Sequence, residues 1–249
     1  MGKTRAGFLA RFAAPRKGPL TMTTHACLRL AAIGACLLLF SAGRARAAEF
    51  AYLENSDSGD ISVIAIPEHK VVSTIKLGPF LDDVTPSHDG RVLYINRYDS
   101  VAAGDRHMAE SGEVIAVSTE TEQILWRTRV DGWPNHLSIS LDDRLLYVPL
   151  FNTLWMEAID TREHKVVKKF PIGFGGHGTR LSPDGKRIYV GSMLVDTLSV
   201  FDLDTLKPVK VLPFKEYVRP FAFLHDESTA YVQLSRLHGF EVVDLRTDK

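Results

Sequence analysis

Six polar side chains fall at equivalent points of a repeating pattern: Asp82 and Asp83, then Asn135 and His136, then His177, then Arg219. Carboxylates, imidazoles, an amide and a guanidinium could together bind a polar ligand, hold a metal ion or move protons. The local spacing does not choose among these. No H-x-H or C-x-x-C supports a metal site, and Ser and His are scattered without a helix or elbow to set up a nucleophile. "GFGGHG", Gly173 to Gly178, has the glycines of a phosphate loop, but no helical pattern follows to present amides to a phosphate. Chemistry here depends on elements that bring distant residues to one place.

Those elements repeat. "TPSHDGRVLYINR", "SISLDDRLLYVPL", "RLSPDGKRIYVGS" and "FLHDESTAYVQL" each carry an aspartate five residues before a tyrosine. The tyrosines Tyr52, Tyr94, Tyr147, Tyr189 and Tyr231 are separated by 42, 53, 42 and 42 residues. A near-constant period of this length implies one supersecondary unit used repeatedly, each burying its apolar face on a neighbour. In "GTRLSPDGKRIYVGSMLVDTLSVFDLDTLKPVKVLPF" four strands are broken by turns. In "HLSISLDD", Leu137 and Ile139 alternate with Ser138 and Ser140, as a half-buried strand requires. Pro183-Asp184-Gly185 supplies a tight turn. Apolar spacing near 3.6 is absent, so the pattern predicts an all-β fold, a β-propeller of four-stranded antiparallel blades with about five blades represented.

The units resemble the YVTN-type β-propeller repeats of exported bacterial and archaeal proteins: S-P-D-G, an aromatic-led strand, an S-V-[IF]-D-type strand, then K-V-V. The resemblance covers nearly all of residues 49 to 249. The signature tetrapeptide departs from it, reading YLEN, YINR, YVPL, YVGS and YVQL, so only the first copy keeps Asn in fourth place. Such propellers usually have about seven blades, which implies a domain from 48 to 249 that is incomplete at its C-terminus. An open arc would leave raw sheet edges, an unpaired innermost strand in the first blade, and poor solubility or assembly with a second chain.

In this architecture the loops entering each innermost strand, and those between second and third strands, converge on one end of a central channel. The first set places Asp82, Asp83, Asn135, His136, His177 and Arg219 at the channel mouth as candidate ligand-binding residues. The second set holds the one departure from the period. Eleven extra residues in "YDSVAAGDRHMAESG" put Asp105, Arg106, His107 and Met108 forward as a binding lip. Hydration of the channel and a tolerated surface loop are the plainer readings of the two sets. His69 and His164, in the duplicated "EHKVV", read as solvated turn residues at the other end. "AVSTETEQILW" is similar to the tryptophan-docking segment of quinoprotein propellers at Ala116, Thr121 and Trp126, a kinship in packing.

The N-terminus reads separately. A basic segment, the apolar run Leu30 to Phe40 and Ala45-Arg46-Ala47 have the order of a secretory signal peptide spanning 1 to 47, cut before Ala48. The run is too short to span a bilayer. Residues 1 to 21 read as an upstream mis-start, with Met22 as the alternative initiator. The first 47 residues hold eight Lys and Arg and no Asp or Glu, which leaves 22 basic against 30 acidic residues, a formal charge of −8. Such a surface argues against nucleic acid and anionic membrane as partners. Both cysteines, Cys27 and Cys36, lie within the leader, so the exported domain is free of disulfides.

The sequence therefore points to a periplasmic or secreted, non-catalytic propeller that binds a protein, peptide or small molecule at its top face. It calls for no cofactor. The alternative is an enzyme or accessory subunit in the manner of propeller lactonases or quinoprotein dehydrogenases, using His136, His177 and Asp83 on a metal or quinone.

Overall fold

The computed structural model describes residues 12–13, 49–99 and 111–247, and within them the chain forms strands and turns without a helix. Five antiparallel sheets follow one another as the blades of a β-propeller. The first blade is β1 (Phe12–Ala13), β2 (Glu49–Asn55), β3 (Asp60–Ala65) and β4 (Lys70–Lys76); the second is β5 (Leu81–Pro86), β6 (Val92–Tyr98), β7 (Gly112–Ser118) and β8 (Ile124–Val130). The third is β9 (Ser138–Ile139), β10 (Leu145–Pro149), β11 (Trp155–Asp160) and β12 (Lys165–Pro171). The fourth is β13 (Gly176–Leu181), β14 (Arg187–Ser192), β15 (Thr197–Asp202) and β16 (Lys207–Pro213), and the fifth is β17 (Val218–Phe223), β18 (Thr229–Leu234) and β19 (Gly239–Asp244).

In the full chain the first blade's innermost strand is this short β1, with Phe12 paired to Phe50 and Ala13 to Glu49. This two-residue strand comes from within the stretch read as a signal peptide. The rest of that stretch, and the lip residues Asp105, Arg106, His107 and Met108, lie outside the described residues. Among the described residues no helix is long and apolar enough to cross a membrane.

The repeated tyrosine has a packing role. Tyr52, Tyr94, Tyr147 and Tyr189, each on its blade's second strand, are buried in the core shared with the following blade. Four such cores join the five blades in order. Each is apolar area removed from water at about 25 cal/mol per Å², the main force holding one sheet on the next. The aspartate-bearing turn closes the first two strands. In the fourth blade Gly185, at φ +69, donates its N–H to Ser182 O at 2.8 Å while Ser182 Oγ bonds Asp184 at 2.5 Å.

His69 and His164 occupy the expected turns between third and fourth strands, at φ 52° and 56°. His164 also stacks on Trp126 of the preceding blade, ring centroids 5.2 Å apart, and Trp126 in turn meets Tyr94 at 5.8 Å. The tryptophan thus packs blade against blade, in keeping with the resemblance at Trp126.

Candidate functional site: the channel mouth

The inner strands share an irregularity that places the candidate residues. Leu81 pairs with Arg97 and then Asp83 with Asn96; Gly176 pairs with Ser192 and then Thr179 with Val190; Val218 pairs with Leu234 and then Phe221 with Val232. Each time the inner strand spends one residue more than its partner. The same offset separates the Pro134–Leu150 bridge from the Ser138–Tyr147 pair. A bulge of this kind bends the strand and re-aims its side chains. Asp82, Asn135 with His136, His177 and Arg219 all fall within these bulges, so every blade from second to fifth delivers its polar residue by the same device.

From these bulges three blades make one contact chain. Asp83 Oδ1 lies 3.1 Å from His136 Nδ1, and Asp83 Oδ2 accepts the Leu137 N–H at 2.8 Å. His136 meets His177 edge-on, with ring centroids 4.6 Å apart. Asp83 and His177 are buried, whereas the His136 side chain keeps 18% exposure. The innermost strand of a blade has no fifth strand to satisfy its free edge, and here the neighbouring blade's side chains do so. Leu137 N–H goes to Asp83, Leu137 O lies 3.4 Å from Thr85 Oγ1, and His136 O accepts Thr179 Oγ1 at 2.8 Å. Because Thr179 gives its proton to His136 O, Ser138 donates to Thr179 Oγ1 at 2.7 Å.

Electrostatics sharpen the pair. Burial acts to raise the Asp83 pKa, but the His136 charge, its hydrogen bond, the Leu137 amide and Arg180 outweigh it and hold the carboxyl below its ordinary value. For His136, burial acts to lower the pKa, and Asp83, its hydrogen bond and Asp82 outweigh it, so the imidazole stays protonated above its ordinary value. Arg180 feels burial most, which works against its charge and is offset in part by Asp83. A guanidinium remains charged at any physiological pH. The mouth therefore sets Arg180 and an imidazole whose protonated form is favoured, His136, against the carboxylates of Asp82 and Asp83.

The other candidates sit around this centre. Asp82 is half-buried and acts on His136 through its charge. Asn135 is 2% exposed, and its carbonyl accepts Asn96 Nδ2 at 2.6 Å. Arg219 is held within its own blade, where Nε donates to Ser235 Oγ at 2.9 Å. On either side of residues 100–110, Arg129 reaches Asp99 at 2.5 Å and Ser111 at 2.7 Å.

Sequence reasoning missed Arg180, Asn96, Ser138 and Thr179, and it missed an aromatic cluster. Tyr98, Trp133 and Phe151 form a buried cluster with Phe80 and Met193 packed against it. Arg180 had a signal: it holds the same repeat position as Thr85 and Ser138, facing the tyrosine of its blade. The cluster had one too, because Phe80 and Trp133 sit two residues before Asp82 and Asn135.

Chemically, the arrangement offers charge and hydrogen bonds. Asp83 orients His136 as a carboxylate orients a catalytic imidazole, but the hydroxyls of Ser138 and Thr179 are engaged with each other and with backbone. Among the described residues no three His, Cys, Asp or Glu side chains converge as a metal ion requires.

No curated protein matches the chain. Among solved structures it is similar to Kuenenia stuttgartiensis hydrazine synthase, with a TM-score of 0.64 and 17% identity over 80% of this chain and 60% of that one. The chain thus spans about three fifths of that protein's length, and the likeness is one of fold. Residues 81–220, a span that runs from just before Asp82 to just after Arg219, match the family described as YNCE-like beta-propeller. With more than half of its length matched, the chain belongs to the YNCE-like β-propeller family.

Proposed function

We propose that this is an exported, non-catalytic binding propeller of the YVTN type, whose channel mouth takes a small polar ligand or a polar side chain of a peptide or protein partner. The observation that carries this reading is the contact chain Asp83–His136–His177 across three successive blades, with His136 still reachable from solvent. Arg180, whose charge acts on Asp83, adds a guanidinium to this set of polar groups. Export to the periplasm or outside the cell is supported by the basic, apolar and A-x-A order of residues 1 to 47.

A second reading has one observation in its favour. The Asp83–His136 pair is the orienting half of an acid–base site, which an enzyme or accessory subunit of the lactonase or quinoprotein-dehydrogenase kind would use. Metal analysis and a visible absorption spectrum of the exported protein separate the two. Stoichiometric metal or a quinone band supports the second reading and overturns the first.

Binding is tested by thermal unfolding with acetate, inorganic phosphate, free amino acids and tripeptides, on wild type and on Arg180→Gln. At least one probe is expected to raise the Tm of wild type and leave the variant unmoved. Equal shifts in both proteins would remove the mouth from the reading.

A further inference from the structure

Where one blade meets the next, the outer strand of the first faces the turn that joins the third and fourth strands of the second. Two positions meet there. Each outer strand has one residue skipped by its ladder, and the residue after it is Ser73 in β4, Trp126 in β8, Lys168 in β12 and Lys210 in β16. The facing turns hold Glu122, His164 and Leu206 in the left-handed region, at φ 58°, 56° and 57°. Each closes its turn by donating its N–H four residues back, to Ser118 O, Asp160 O and Asp202 O.

Between the second and third blades the two positions are filled by rings. Trp126 and His164 stack with centroids 5.2 Å and planes 20° apart, and Thr128 Oγ1 donates to His164 O at 2.8 Å beside them. Between the third and fourth, Leu206 packs on the shared core. Between the first and second, one bond of 2.7 Å joins Ser73 Oγ to Glu122 Oε2, so a hydroxyl stands where the next blade has an indole. Beside that bond lies a groove of 470 Å³ walled by two unbroken runs of chain, residues 74–77 at the end of β4 and residues 121–124 of the facing turn. Lys76 is an exposed cation on one wall, Ile124 is 42% exposed on the other, and Thr74, Thr121, Glu122 and Gln123 supply donors and acceptors. β4 is the last strand of its sheet, and its outer edge meets no further strand among the described residues. Such an edge pairs with extended backbone.

We propose that this groove binds an extended peptide that inserts a tryptophan or tyrosine side chain beside the Ser73–Glu122 bond, so that the partner supplies the ring the first blade lacks. The chain itself shows what fits the position, since Trp126 lies flat against its facing turn residue. Lys76 can face an inserted ring as Lys169 stands over Trp155, 5.8 Å from its centroid. The indole N–H or phenol O–H finds acceptors in Glu122 and Gln123 that a leucine side chain cannot use. This site is separate from the channel mouth, and the proposal does not depend on that mouth binding anything.

The test is calorimetric titration of the full exported chain with the end-blocked tripeptides Ala-Trp-Ala and Ala-Leu-Ala and with free indole, on wild type, Ser73→Trp and Ser73→Lys. Both substitutions introduce a side chain that another blade already carries at this register position. Wild type is expected to bind the tryptophan peptide about tenfold more tightly than the leucine peptide or indole, and each variant to weaken it by about tenfold or more. A tryptophan peptide that fails to bind wild type, binds the variants equally well, or is matched by the leucine peptide would overturn the proposal. Indole binding as tightly as the peptide would overturn the extended segment as occupant. Should Ser73→Trp fail to fold by circular dichroism, Ser73→Lys alone decides.

Discussion

Tyr189 donates its hydroxyl to Glu227 at 2.5 Å across the boundary between the fourth and fifth blades. Glu227 occupies a turn at φ 57°, the left-handed position that Gly90 and Gly185 take in the second and fourth blades. A side chain there costs about 1 kcal/mol relative to glycine. Glu227 offsets this by also taking Arg187 at 2.7 Å. Asp143, at φ 56° in the third blade, does the same for His88, accepting its N–H at 3.0 Å and meeting Nδ1 at 2.6 Å. Two of the turns have therefore exchanged conformational ease for a bond to the preceding blade.

Glu227→Gly should relax the turn yet lose both partners, for a net loss of about 1 kcal/mol in urea unfolding. Tyr189→Phe should cost a similar amount, and the two losses should not add, since they share one bond. Burial first, and Glu227 second, raise the Tyr189 pKa. Spectrophotometric titration should accordingly show one tyrosine ionising at lower pH in Glu227→Gln than in wild type.

The Asp83–His136 pair makes stability depend on pH in a defined direction. Asp83 is held below its ordinary 3.8, so its contribution is present above that value and lost as pH falls through the lower folded pKa. His136 is held above its ordinary 6.5, so its contribution is full below 6.5 and lost as pH rises through the higher folded pKa. The pair should stabilise most between about pH 4 and 6.5. His136→Gln should flatten the alkaline side of the curve. Asp83→Ala, which strands the imidazolium and the Leu137 N–H, should cost about 3 kcal/mol at pH 5. Chemical denaturation across pH 4 to 9 reads both.

Equivalent positions should respond unequally. Leu198→Ala opens a cavity in the core between fourth and fifth blades and should cost about 2–5 kcal/mol. Phe240→Ala, at the same register position one blade later, should cost under about 1 kcal/mol in dilute protein, because the ring it removes is already in water. Similar losses at the two positions would contradict the exposed fifth-blade face.

Glu113 is 5% exposed and carries two guanidiniums on one oxygen, Arg97 and Arg127, each at 2.6 Å. Glu113→Gln leaves both without their counter-charge and should destabilise by about 1–3 kcal/mol, the exposure of the arginines tempering the loss. High salt should narrow the gap between variant and wild type.

Much of the fold was legible because each blade states it locally. The tyrosine, the aspartate turn and the alternation of Leu137 with Ser138 are short-range patterns, and they locate strands, turns and buried faces without reference to other blades. The site was legible only as a set of positions. That Asp83 and His136 meet follows from the period, but that Asp83 also binds the Leu137 N–H, or that Arg219 turns to Ser235 in its own blade, depends on how one inner strand's free edge meets the next. The first joins residues 54 apart and the second 16 apart, and no local pattern encodes either. The bulge escaped notice for a further reason: one extra residue per blade leaves the repeat length constant, so it leaves no mark on the spacing of the tyrosines.

That shared extra residue separates two jobs within one strand. Beyond it, the strand keeps its ladder with the tyrosine-bearing neighbour; at it, Asp82, Asn135, His177 and Arg219 differ completely in charge and shape while the ladder is unchanged. The polar side chains at the mouth can accordingly be exchanged one blade at a time by point substitution. Deleting the residue would instead let the inner strand run in continuous register with its partner and remove the bend that re-aims the polar side chains.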